Sequence, residues 1–341
     1  MKKLLLLLFL SLAFPCFAEV WPAFNPMPKA ALASQGEVIE VKNMPEARNQ
    51  GGLPVCYGIT AWYAYMQLQC KANQSDCRNL SPDTTPSPIM LGALGLDKDL
   101  HEKYGSVYNK VVPYSIGGGD SNALSALEGE DDVFADACFP LDRMIQRFGG
   151  SNRKMFNAFE NLKMQFFERN KNEGKVCMNC LLDALRDDFG LSTDQTTVQK
   201  ALSENVFDKF LFDLFVRGCN KKVAVQDFHL RGWPNMSETD SYDNFIAKLR
   251  SVLQKNAPVL TSLCLDQKNA SDEQCKSGHA VAITGYRKVC TKGASCTDYL
   301  KVLNTWGADW QKQNSDGWLD SRTLYDYMTH QYRNRQFIWL E

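Results

Sequence analysis

The spacing of apolar residues changes along the chain, from mostly helical offsets before Pro258 to short β-rich runs after it. Ile59, Trp62, Tyr63, Met66 and Cys70 recur at helical offsets and predict a buried helix over 56–70. Phe156, Phe159, Leu162, Phe166 and Phe167 form a second stripe, and Leu202, Val206, Phe210, Leu214 and Phe215 a third. Together they predict a strongly helical stretch over 141–217. Tyr242, Phe245, Ile246, Leu249, Val252 and Leu253 predict one more amphipathic helix, stopped near Pro258. The period then changes. Segments 259–264, 280–286, 299–305 and 336–340 read as short strands, and the alternation over 37–42 reads as another. Helices first and strands later predict an α+β protein.

Composition adds little to this picture and removes some functions from it. The 341 residues are 44% hydrophobic, 11% aromatic and 23% charged, which suits a sizeable core. A net charge of −1 offers no basic field for nucleic acid and no polybasic segment for an anionic membrane. Lys2 and Lys3, the short apolar run 4–13 and Cys16-Phe17-Ala18 read as a signal peptide over 1–18, with the mature chain starting near Glu19. The run is too short for a membrane span. The expected location is therefore secreted or periplasmic, with no membrane anchor after signal removal.

The twelve cysteines divide accordingly. Cys16 leaves with the signal, and Cys56 is kept for chemistry. The other ten, an even number in an exported chain, predict up to five disulfides. Short spacing suggests Cys70 with Cys77, Cys264 with Cys275, and Cys290 with Cys296. The pairing among Cys138, Cys177, Cys180 and Cys219 stays open. Cys177-Met178-Asn179-Cys180 could be half a zinc site, but no second pair with metal-ligand spacing accompanies it. No metal and no cofactor are expected.

The candidate chemistry lies in two distant places. Near the start stands Gln50-Gly51-Gly52-Leu53-Pro54-Val55-Cys56-Tyr57-Gly58; far downstream come Gly278-His279-Ala280-Val281 and Asn304-Thr305-Trp306-Gly307. Acyl transfer by a thiol needs a thiolate, a histidine that takes and returns a proton, a group that orients the histidine, and a donor for the oxyanion. Cys56 would sit at a helix N-terminus, where the dipole favours the thiolate.

In these segments the chain resembles the papain-like cysteine peptidases. Gln50, six residues before Cys56, resembles the family's oxyanion glutamine. Cys56 resembles its nucleophile, His279 opening a strand its acid/base, and Asn304 the group that orients it. Trp306 would cover that hydrogen bond. Gly118 and Gly119 resemble the glycines that pair with substrate backbone. The resemblance implies a two-lobed fold, one lobe helical and one β-barrel-like. Its implied divisions are an N-terminal segment over 19–48, a helical lobe with the nucleophile over 49–140, and a β-rich lobe with His279 and Asn304 over 236–341. His279 lies 223 positions after Cys56, beyond the family's usual 130–150, and the excess reads as an extra helical insertion over 141–235. The implied activity is peptide-bond hydrolysis on peptide or protein substrates, with a protein inhibitor as a further candidate partner. Two other functions fit the same residues: a cell-wall peptide hydrolase, and a catalytically silent binding protein of the same fold.

Overall fold

A short strand, β1 (Val38–Glu40), precedes the central helix α1 (Cys56–Asn73), whose apolar stripe decides how the first half of the molecule packs. Ile59, Tyr63 and Met66 are at most 2% exposed. Burying Ile59 and Met66 stabilises the fold by about 1.5–3 kcal/mol each. Gly58 lets the backbone of Pro88 and Gly92 run against the helix, because a Cβ there would lie 2.5 Å from the Pro88 carbonyl oxygen. The structure, a computed structural model, describes residues 24–33, 36–51, 55–92, 94, 120–138, 140–171, 177–191, 193–204, 210–211, 213–214, 219, 221–234, 241–271, 274–290, 296–331 and 334–341. The leader, Gly118, Gly119, Val206 and Phe215 lie outside these residues.

Helix α2 (Asp120–Leu127) packs on α1 through Ala123, Leu124 and Leu127. After strand β2 (Asp132–Phe134) the predicted helical stretch resolves into α3 (Leu141–Arg147), α4 (Asn152–Lys171), α5 (Met178–Phe189) and α6 (Gln195–Leu202). Their large side chains, among them Phe159, Leu162, Phe166, Leu181 and Phe189, share one core with α1. Asp194 caps α6 by accepting from the Thr197 N–H at 2.7 Å, and Gly190 ends α5 in the left-handed conformation. Strand β3 (Lys222–Ala224) returns to pair with β2, and the Cys138–Cys219 disulfide ties the two ends of the stretch together. Across a separation of 81 residues such a link is worth about 4–5 kcal/mol in the chain-entropy model.

The last third carries β4 (Leu230–Trp233), α7 (Tyr242–Gln254), β5 (Val259–Cys264), β6 (Gly278–Cys290), β7 (Cys296–Leu303), α8 (Gly307–Gln313), β8 (Trp318–Asp320), α9 (Ser321–Tyr327), the pair β9 (His330–Gln331) and β10 (Asn334–Arg335), and β11 (Phe337–Leu340). The antiparallel sheet runs β4-β11-β5-β6-β7-β8, with β1 added alongside β6. Alternation puts its middle strands between two cores. Leu260, Ala280 and Ala282 face the α1 side; Val259, Leu263, Val281 and Ile283 face α7 and α9. The fold is α+β. The strands β4 and β8 and the helices α8 and α9 go beyond the elements that periodicity predicts.

Disulfides join Cys70 to Cys77, Cys138 to Cys219, Cys177 to Cys180, Cys264 to Cys275 and Cys290 to Cys296. Five such links belong to a chain that matures in an oxidising, non-cytosolic compartment. No helix among the described residues is long and apolar enough to cross a membrane.

Candidate active site

His279 is the second residue of β6 and stands opposite Leu263 of β5. The loop between these strands is closed by the Cys264–Cys275 disulfide. Asp266 Oδ1 also accepts from the backbone N–H groups of Lys276 and Ser277, at 3.1 and 2.9 Å. The chain therefore enters β6 along a fixed path, and His279 is only 2% exposed.

Asn304 follows the end of β7. Its backbone N–H donates to Gln311 Oε1 of α8 at 3.2 Å, while Gln311 Nε2 donates to the Val302 carbonyl at 3.0 Å. The strand end is thus clamped by the helix that follows it. Asn304 Oδ1 accepts the Thr305 N–H at 2.7 Å and lies 2.7 Å from His279 Nε2. Only the amide oxygen can accept the Thr305 N–H, so the side chain cannot be turned the other way. His279 Nε2 must then carry the proton, which leaves Nδ1 as the basic nitrogen of the neutral ring. Fixing this orientation has a cost. Asn304 Nδ2 is buried with no hydrogen-bond partner, a penalty of about 1–3 kcal/mol. The Trp306 ring lies over the imidazole, with centroids 4.8 Å apart and planes at 33°, and Trp310 meets Trp306 edge-on.

Gln50 reaches the same cluster from the other end of the chain. Its backbone N–H donates to the Thr305 carbonyl at 2.7 Å, and the Thr305 hydroxyl donates to Gln50 Oε1 at 2.5 Å. With Oε1 turned to Thr305, Nε2 becomes the donor end of the amide. Asn49 bridges Trp306, and the Gly307 N–H donates to the Arg48 carbonyl at 3.1 Å. Segment 48–50 is therefore laid along 304–307 as a short strand-like pair. Arg48 anchors its root, with its guanidinium 2.9 Å from Asp136 and 3.1 Å from Asp142 and lying over Trp62. Burial pushes the Asp136 carboxyl up to about 6, against the pull of Arg48. Gly51 has φ +63, and a Cβ there would lie 2.8 Å from Met155 Sδ of α4. The helical stretch therefore packs directly against the residue after Gln50.

Cys56 is the first residue of α1 and is buried, at 7% exposure. It is the one cysteine outside a disulfide among the described residues. Tyr63, two turns further along α1, holds the helix to the rest of the cluster. Its hydroxyl accepts the Arg48 N–H at 2.6 Å and donates to the Asn304 carbonyl at 3.4 Å. Burial raises the phenol well above its usual range, so it remains a neutral donor. Asp120, at the start of α2, is also buried, and its carboxyl is pushed up to about 6. Burial is the main cause, the Ser121 N–H opposes it, and the charge of Cys56 adds to it.

Of the residues singled out by sequence, Gln50, His279, Asn304 and Trp306 form one contiguous cluster. Cys56 lies on the helix that Tyr63 fixes against that cluster. Gly118 and Gly119 are outside the described residues. Sequence reasoning passed over Thr305, Tyr63, Arg48 and Asp120. Thr305 lies inside the quoted Asn-Thr-Trp-Gly segment, which was the available signal. Tyr63 was hidden in an apolar stripe, and Asp120 follows three glycines in what reads as a loop.

No family model matches the chain, and no curated protein matches it. Solved structures show a distant likeness. SERA5E from Plasmodium falciparum is 10% identical, over 87% of this chain and 89% of its own, with a TM-score of 0.41. The recombinant stem bromelain precursor is 10% identical over 92% and 73%, with a TM-score of 0.41. Xylellain, a cysteine protease from Xylella fastidiosa, is 11% identical over 92% and 88%, with a TM-score of 0.41.

Proposed function

We propose that this chain is an exported thiol peptidase that cleaves peptide bonds through a Cys56 acyl-enzyme. The observation that carries the reading is the continuous hydrogen-bonded run from His279 through Asn304 and Thr305 to Gln50, fixed against the helix that Cys56 opens. The Nε2–H tautomer of His279 leaves Nδ1 to take the Cys56 proton. The resulting imidazolium and thiolate stabilise one another in a partly desolvated site, and the start of α1 favours the thiolate further. The thiolate attacks the scissile carbonyl. Gln50 Nε2 and the Cys56 backbone N–H stabilise the oxyanion. His279 then gives its proton to the leaving amine, and water hydrolyses the thioester by the reverse route.

Asn304 and Trp306 act here as positioning residues, one setting the tautomer and the other keeping water from the hydrogen bond. In the same reading the helical stretch over 141–235 is a subdomain that braces the Gln50 loop through Met155 and Asp142 and narrows access to the site. In this reading the enzyme works in a secreted or periplasmic setting, which the signal-like leader and the five disulfides support. Labelling the purified mature chain with an electrophilic peptide epoxide, then mapping the adduct, tests the assignment. A single adduct on Cys56, lost together with peptide hydrolysis in Cys56→Ala, is the expected result. Turnover retained in Cys56→Ala would overturn it.

A further inference from the structure

Asp120 and Asp136 are two similarly buried carboxylates, each with one oxygen that lacks a hydrogen-bond partner, but only one of them has a cation. Asp136 is 5% exposed and is given a cation by the fold itself, the Arg48 guanidinium at 2.9 Å. Asp120 is 6% exposed. Its Oδ1 accepts the Ser121 N–H at 2.9 Å, and its Oδ2 is buried with no hydrogen-bond partner. No Lys, Arg or His among the described residues is among the charges that act on it. What sets Asp120 apart is that its unpartnered oxygen comes with no cation, so the charge itself is uncompensated, which is costly and calls for a partner.

The position says what arrives. Helix α2 packs on α1 through Ala123, Leu124 and Leu127, in the same core that holds Cys56 and Tyr57. Asp120 opens α2 and Cys56 opens α1, the helix on which α2 packs, and the Cys56 charge adds to the upward push on the Asp120 carboxyl. A negative group beside a thiolate opposes the thiolate, so Asp120 does not activate Cys56. Nor does capping account for it, because the contact with Ser121 uses one oxygen and an amide would serve there equally well. A carboxylate beside the nucleophile, with one oxygen unsatisfied and no internal cation, matches a positively charged substrate group.

Resting on the reading of Cys56 as the nucleophile, we infer that Asp120 is a specificity-determining residue that takes an ammonium or guanidinium of the substrate close to the scissile bond. Two sources supply that chemistry, a Lys or Arg side chain and the free α-amine of a peptide.

The test uses equilibrium binding to the Cys56→Ala chain, where turnover cannot interfere, alongside kcat/KM of the unaltered chain. Probe peptides carry Lys or norleucine, and Arg or citrulline, at each position flanking the scissile bond in turn. Each is made with a free and with an acetylated N-terminus. Cationic members should be favoured by about tenfold or more, the scale of one charge-assisted hydrogen bond. The preference should vanish in both Asp120→Asn and Asp120→Ser. A preference carried by Lys and Arg identifies a side-chain subsite; one lost on acetylation identifies recognition of the α-amine. Equal binding of cationic and neutral peptides, or a preference that survives both substitutions, overturns the inference. If binding shows the preference but the unaltered chain cleaves none of the peptides, the peptidase reading fails and Asp120 stands as a cation-binding residue. If peptides are cleaved without preference, the peptidase reading stands and the role of Asp120 falls.

Discussion

The two flanks of the site are finished to different degrees. On the His279 flank, side-chain and backbone groups from distant parts of the chain are bonded to one another: the His279 ring to Asn304, the Thr305 hydroxyl to Gln50, the Gln50 N–H to the Thr305 carbonyl, and the Arg48 N–H to the Tyr63 hydroxyl. On the Cys56 flank, Asp120 holds one carboxylate oxygen against its own helix start and leaves the other buried without a partner. The first arrangement fixes groups in place before any substrate arrives, which is what acid–base and oxyanion chemistry require. The second leaves an interaction to be made on binding, which is what discrimination between substrates requires.

The strongest way to break this contrast is to remove the reacting groups. Cys56→Ala and His279→Ala should each lower kcat for peptide hydrolysis by roughly 10⁴–10⁶-fold, with little further loss in the double variant, because the two act as a unit. Steady-state kinetics on a fluorogenic peptide measures this. Additive losses in the double variant would mean that they do not work together.

Next in size is Arg48→Met. It leaves Asp136 buried without its cation, and loss of one partner from such a pair costs about 3–5 kcal/mol. Urea unfolding should show a loss of that order. A change below about 1 kcal/mol, the scale of an exposed ion pair, would show that Arg48 does not anchor the root of the Gln50 segment.

Gln50→Ala removes an oxyanion donor and should cost about 2.7–4 kcal/mol of transition-state stabilisation, roughly a hundred- to thousandfold in kcat. Alkylation of Cys56 by iodoacetamide, which develops no oxyanion, should proceed at the normal rate. A fall in both rates would move Gln50 from the oxyanion to the upkeep of the thiol.

How much of this could be read from the sequence depends on whether the signal was local. The run over 259–264 could be read because it is a short apolar stretch bounded by Pro258, and β5 spans Val259–Cys264. The stripe from Ile59 marks the helix and the loop residues Gly51, Gly52 and Pro54 mark its start at Cys56, while α1 continues past Cys70 to Asn73, with Gln74 taking a left-handed conformation. Gly278-His279 and Asn304-Thr305-Trp306 could be recognised because each motif is contiguous. What could not be read is pairing across distance. Thr305 and Gln50 are 255 positions apart, and Arg48 and Asp142 are 94 apart. The partner of Cys138 lies 81 positions away and follows from how the helices between them pack, which spacing does not encode; with Cys138 and Cys219 joined, Cys177 is left to Cys180. Asp120 was invisible for the same reason: burial of a carboxylate is a property of the assembled core.

The smallest expected effect is also the most discriminating for the wired flank. Thr305→Val keeps the shape of the side chain and the backbone bond between Gln50 N–H and the Thr305 carbonyl, but removes the hydroxyl that holds Gln50 Oε1. The amide then loses that hold, and part of its population no longer aims Nε2 at the oxyanion. One neutral hydrogen bond is worth about 1 kcal/mol, so kcat should fall by about five- to tenfold, well short of the loss in Gln50→Ala. Thr305→Ser restores the hydroxyl and should restore the rate. In the Gln50→Ala background, Thr305→Val should have no further effect on turnover, because the hydroxyl acts only through that amide. A loss of the same size with and without Gln50 would place the role of Thr305 in packing beside Asn304 instead.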